Sequence, residues 1–195
     1  GGMAVLGIVL AGLGHFDWFS HQVLYFYLFF LLFFYFMAGI GRATIGDLKK
    51  PWFILIPASW SLKFWNMIKL DLVQTLLFAL LLILPSVVIG DYNFWLIVLF
   101  PLGLIFAYVI GLAVNLIPQV GLDEGWDRVL IKPLMIGGIV IFGLVPTLFF
   151  SGLLFGITGK FIFGFGAAVL GLGFLAAILT HVALDVLKRL EFKEL

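Results

Sequence analysis

Asp71, Gln74 and Thr75 fall within about one helical turn of each other, and Thr180, His181 and Asp185 make a second polar group, both inside runs that are otherwise apolar. A histidine and a carboxylate four residues apart on a helix can pair directly. Ionisable groups in apolar spans mark pathways for ions or substrates. Asp71, Gln74, His181 and Asp185 are therefore candidates for a polar lining at one mouth of such a pathway. The plainer alternative puts both groups at headgroup level, satisfied by water, Lys69 or Lys188. His15, Asp17 and His21 offer imidazole and carboxylate donors. Their spacing matches no recognised ligand pattern, so we expect no metal there.

Other chemistries drop out. With no cysteine in 195 residues, disulfides, thiolate metal sites and a cysteine nucleophile are excluded. Gly156-Ile157-Thr158-Gly159-Lys160 approaches a phosphate-cradling loop, but its first glycine is misplaced and Phe161 stands where Ser or Thr would meet magnesium. It reads as a glycine-rich turn. A buried enzyme site would need acid, base or metal groups at one depth, whereas His15 and His181 are expected at opposite faces. No catalytic residue and no cofactor are expected.

The elements that position these groups are membrane spans. The chain is 64% hydrophobic and 11% charged, with a mean hydropathy of +1.26, far from the roughly 25% charged residues of soluble domains. About 20 apolar residues cross a hydrocarbon core of about 30 Å as a helix. Runs of that kind lie at Val23–Gly41, Leu70–Gly90, Phe94–Ile117, Pro133–Ser151 and Phe161–Leu187. Gly1–Gly14 would extend only about 21 Å; it is expected to be the truncated part of a first span. Pro85 and Pro101 are tolerable because neighbouring groups can satisfy the freed carbonyls. The aromatic run Tyr25–Phe36 suits packing and lipid contact rather than a substrate cage. Gly164, Gly166, Gly171 and Gly173 put small residues on more than one face of the last span, which is expected at the centre of the bundle or at a subunit interface.

Charge orients the spans. Arg42, Lys49, Lys50, Lys63, Lys69, Arg128, Lys132, Lys188, Arg189 and Lys193 fall on one side and Lys160 alone on the other. Basic residues accumulate on the cytoplasmic side. The expectation is an all-α polytopic membrane protein of about six transmembrane helices with both termini cytoplasmic, forming a single domain over residues 1–195. A net charge of +1 gives no case for nucleic acid.

Between the second and third spans, residues 42–66 form a cytoplasmic interfacial segment. Pro51 and Pro57 bracket a short apolar patch, and Ser59 or Ser61 can cap a helix that carries Lys63, Phe64 and Trp65. Such a segment either rests on lipid headgroups or couples the spans to a soluble subunit by passing on a rigid-body push. A second cytoplasmic loop carries Asp123, Glu124, Asp127 and Arg128 around Trp126.

Asp47, the pair Lys49-Lys50, Pro51-Trp52-Phe53, then Leu55-Ile56-Pro57-Ala58-Ser59 and the Lys63-Phe64 helix start resemble the region after a span in the family of putative ABC exporters, permeases related to the ABC-2 type. The local likeness covers residues 41–90. Permeases of that type have six spans, a coupling helix between spans two and three, and short re-entrant helices before span six, here matched by Gly152–Gly166. The resemblance implies a permease subunit in a bacterial cytoplasmic membrane, partnered by a cytoplasmic ATP-binding subunit, by a second permease copy or homologous half, and by lipids. It also implies that Lys49, Lys50, Pro57, Lys63 and Trp65, with Asp123, Glu124 and Arg128, are partner contacts. Family members are usually longer than this chain. A non-transporting membrane anchor within a larger complex is the alternative.

Overall fold

The computed structural model describes residues 20–41, 57–90, 92–121 and 126–193, and every regular element among them is helical. In chain order these are α1 (Ser20–Ile40), α2 (Trp60–Gly90), α3 (Leu96–Gly121), α4 (Trp126–Ile139), a π-helical turn (Val140–Leu144), α5 (Val145–Thr158) and α6 (Phe161–Lys193). The stretches Trp60–Val88, Leu96–Pro118, Pro133–Thr158 and Phe161–Lys188 are each long and apolar enough to cross a membrane. The expected first span, Gly1–Gly14, lies outside the described residues.

Capping fixes where the helices begin and end. The Leu62 N–H donates to Ser59 Oγ at 3.4 Å, so Ser59 is the N-cap of α2. This helix then continues for 31 residues, starting ten residues before the expected span. The sequence Lys63, Asn66 and Lys69 looks interfacial by composition, yet nothing in it breaks a helix. Asn93 opens α3 by accepting the Trp95 N–H on Oδ1 at 3.0 Å. At the end of α5, Gly159 adopts φ 64° and donates its N–H to the Phe155 carbonyl at 2.8 Å, the left-handed stop that glycine permits.

That stop corrects two expectations. Residues 152–158 continue the helix past the expected span end at Ser151, and only Gly159 and Lys160 separate α5 from α6. No separate re-entrant helix stands between them. Gly152 and Gly156 are carried inside α5, as glycines commonly are within membrane helices. The π-helical turn has a local cause too. Pro146 opens α5 and cannot donate an N–H, so the preceding turn widens. Thr147 Oγ1 donates to the Gly143 carbonyl there at 2.7 Å, satisfying a backbone group that lipid cannot.

The hub of the bundle is α3 rather than the last span. It packs against α1, α2 and α6, and 67% of its most apolar stretch is buried, against 39% for that of the last span, Phe161–Lys188. Small residues explain this position. A Cβ on Gly111 would fall on the Phe36 carbonyl oxygen, and a Cβ on Gly39 on that of Tyr108, so the backbones of α1 and α3 meet directly. The glycines of α6 serve two neighbours: Gly164 and Gly171 face Ser151 and Thr147 of α5, whereas Gly173 faces Phe106 of α3. Phe29 joins α1 to the start of α6 by edge contacts with Phe161 and Phe165, while Phe30, Phe33 and Phe34 are exposed. These rings form no cage.

Candidate functional site

One face of α2 reads Trp60, Phe64, Ile68, Asp71, Thr75 and Ala79, spaced three or four apart, and all six side chains are buried. That spacing draws one seam along a helix. Its first half packs on Tyr108, Leu112 and Leu116 of α3 and on Ala183 and Leu187 of α6. The start of α2 thus sits beside the ends of α3 and α6, and Lys63, Lys69, Asp185 and Lys188 gather at this end of the bundle. Lys160 occupies the other.

Within the seam, Asp71 is 5% exposed and accepts a hydrogen bond from the Tyr108 hydroxyl on Oδ2 at 2.8 Å. Both residues make further interactions besides this bond. A hydrogen bond in a low-dielectric interior is strong and directional, so this pair pins α2 to α3. Asn115 of α3 and Thr180 of α6 are also buried nearby in the same half. Gln74, one turn from Asp71 and just off the line of the seam, is exposed, so it is not part of the buried group with Asp71 and Thr75.

Lys63 departs from its expected place at the headgroups. Its side chain is 7% exposed, with Nζ 4.6 Å from the Trp60 ring centroid. A cation so placed over an indole is held by the negative ring face. Trp60 is itself buried, and its Nε1 meets no hydrogen-bond acceptor among the described residues. Trp65, one turn on, is exposed and meets Phe64 edge-on at 5.4 Å. Pro57 is exposed.

His181 and Asp185 approach to 3.6 Å, and Lys188 Nζ donates to Asp185 Oδ1 at 3.3 Å. The His181 and Asp185 side chains are 78% and 48% exposed, so this is a surface network rather than part of the buried seam. Beside it a cleft of about 410 Å³ runs between α3 and α6, lined by Phe106, Val109, Ala177, Thr180 and His181, with Trp65 on its rim. Its walls are almost wholly apolar.

Lys49 and Lys50, Asp123 and Glu124, and His15 with Asp17 lie outside the described residues; Arg128 and His21 are placed as backbone within α4 and α1. Among the described residues no three His, Cys, Asp or Glu side chains gather as a metal ion would require. Gly156–Thr158 belong to α5 and Gly159 is its cap, so the glycine-rich stretch is a helix end. Tyr108 is a member of the site that local spacing does not flag: it is 37 residues from Asp71, and the antiparallel packing of α2 on α3 brings them together.

Long apolar helices packed on a central one, with polar groups gathered toward one end, define a polytopic α-helical integral membrane protein. The family model for Putative ABC exporter matches residues 2–191. The chain belongs to that family, and is a transport-related membrane protein whose family implies an ATP-binding partner. No curated protein and no solved structure matches it.

Proposed function

We propose that the chain is the membrane-spanning permease subunit of an ATP-driven exporter, coupling a cytoplasmic ATPase to substrate movement, with ATP hydrolysed on the partner. The observation that carries this reading is the family match over residues 2–191. The fold supports it through α2: one capped helix of 31 residues joins the proposed coupling segment, residues 42–66, to the buried Asp71–Tyr108 bond. A push on such a rod moves it as a body, and packed interfaces answer such pushes by switching between discrete arrangements. Lys49, Lys50, Pro57 and Trp65 are the proposed partner contacts, with the Asp123, Glu124 and Arg128 loop as the second. Lys63, being buried, acts instead by holding the first turn of α2.

In this reading the chain has six spans and both ends in the cytoplasm. Because it contains no cysteine, single cysteines report sidedness without background. Lys160→Cys is expected to react with an impermeant maleimide added outside intact cells, and Lys188→Cys only after lysis. Equal labelling of both from outside would overturn the topology.

Coupling is tested by Lys49→Glu with Lys50→Glu, leaving Lys63 untouched because reversing a buried cation would damage the core. Purified in mild detergent, the native protein is expected to bring an ATP-binding subunit in stoichiometric amount, and the variant to lose most of it along with its ATPase activity. The apolar walls of the cleft also suit a non-transporting anchor. Assembly without an ATP-binding subunit, or ATPase activity indifferent to the substitutions, would favour that reading.

A further inference from the structure

The end of the bundle that carries Lys160 has a groove the proposed function leaves unused. It encloses about 500 Å³ between α3, α5 and α6. Polar groups stand only at its mouth: Lys160, Asn93 and Thr158, beside the exposed ring of Trp95. The rest of the trough is apolar, floored by Gly166 and Ala167 and ending at Leu170.

The chemistry of the mouth is that of a hydrogen-bond donor pair. Lys160 is exposed, no carboxylate among the described residues pairs with it, and it is the basic residue of this end. The carbonyl oxygen of the Asn93 side chain already accepts the Trp95 N–H, which leaves its amide NH₂ as the group able to donate to a ligand. Thr158 Oγ1 donates to the Leu154 carbonyl at 2.6 Å and is held. An ammonium and an amide, with no carboxylate among the described residues between them, complement phosphate oxygens. Trp95 stands where an indole prefers to lie, at the boundary between headgroups and hydrocarbon.

The length of the trough decides which phosphate. From Lys160 to Leu170 along α6 is about 15 Å, half of a hydrocarbon core of about 30 Å. A groove with a cation at the headgroup boundary and an apolar bed one leaflet deep fits a molecule with an anionic head and a single chain lying along the protein. We propose that this groove binds an acidic phospholipid of the leaflet at the Lys160 end, its phosphate on Lys160 and Asn93 and one acyl chain along Gly166, Ala167 and Leu170. Net charge sets the preference, since a choline headgroup would bring a second cation to Lys160.

The test is native mass spectrometry of the protein released from nanodiscs made of phosphatidylglycerol and phosphatidylcholine in equal amounts. Wild type is expected to retain phosphatidylglycerol adducts, and Lys160→Gln to lose the occupancy of one of them about fivefold, the effect of one cation facing an anionic headgroup. Phosphatidylcholine adducts stay unchanged in that variant. Leu170→Trp, which fills the trough from an exposed position and leaves the cation in place, is expected to remove the same adduct. An adduct pattern unaltered by either substitution overturns the proposal. The measurement needs no ATP-binding partner, so its failure leaves the permease reading intact.

Discussion

Gly111→Leu is expected to leave the protein unable to form its bundle. The Cβ alone would occupy the position of the Phe36 carbonyl oxygen and approach the Ile40 nitrogen to 3.1 Å. Both are backbone atoms, so no rotamer change relieves the contact, and α1 must move away from α3. Overpacking of a tight core costs on the order of 3 kcal/mol where side chains can adjust; backbone against backbone should exceed that. Close approach of this kind is what small residues provide in membranes, where helices gain little from the hydrophobic effect once inserted. Detergent-solubilised Gly111→Leu should elute as aggregate or melt far below wild type by size-exclusion thermostability. Gly137→Leu is the matched control, as nothing lies within 4 Å of its Cβ, and it should behave as wild type. A Gly111→Leu protein with native melting would show that α1 and α3 do not cross there.

The second large effect is expected at the Asp71–Tyr108 bond. Tyr108→Phe keeps the ring in its buried place and removes the donor 2.8 Å from Asp71 Oδ2. A buried acceptor left short of a partner costs about 1–3 kcal/mol, more when charged. Asp71→Asn keeps a neutral acceptor and should cost less. The double variant should be more stable than the sum of the two losses, with a coupling of at least about 0.5 kcal/mol. Strict additivity in a thermal or denaturant series would mean that the bond contributes nothing to the packing of α2 on α3. Exported-substrate flux or partner ATPase activity, measured on the same variants at a temperature where each remains folded, would separate a pathway role from a structural one.

Much of this fold can be read from the apolar runs. Val23–Gly41, Phe94–Ile117 and Phe161–Leu187 lie within a few residues of α1, α3 and α6, because a stretch that is apolar all round and about 20 residues long has few other ways to satisfy its backbone in lipid. Boundaries failed where composition and conformation diverge. Lys63, Asn66 and Lys69 look interfacial, yet the helix runs through them because its N-cap sits at Ser59. Gly152 and Gly156 look like a loop, yet they lie inside α5.

The centre of the bundle had a legible signal that was overshadowed. Gly103, Ala107 and Gly111 recur every four residues along α3, a small-residue stripe that suits close crossing. The denser glycines of α6 drew the expectation instead, and they turn out to serve contacts with α5 as much as with α3. The site was less legible. Asp71 announces itself as a charge in an apolar run, but its partner is a tyrosine 37 residues away, and no local spacing connects them. Lys63 is counted as cytoplasmic by charge, yet its side chain is buried over the Trp60 ring; a residue's sidedness says nothing of the direction its stem takes along a helix.

The central position of α3 also governs how the protein is made. Among the described helices, α1 and α2 have no substantial contact with each other, and each docks on α3. During synthesis both must therefore wait in the bilayer as separate helices until the chain has reached about residue 121, when their common partner is complete. The rod from α4 to α5 has the same dependence in the next stage, since its main neighbour is α6, which follows it in the chain. Among the described helices, a nascent chain stalled before α3 lacks the partner of both α1 and α2, and one stalled before α6 leaves the rod from α4 to α5 without its main support, so quality control meets an unassembled helix at both points.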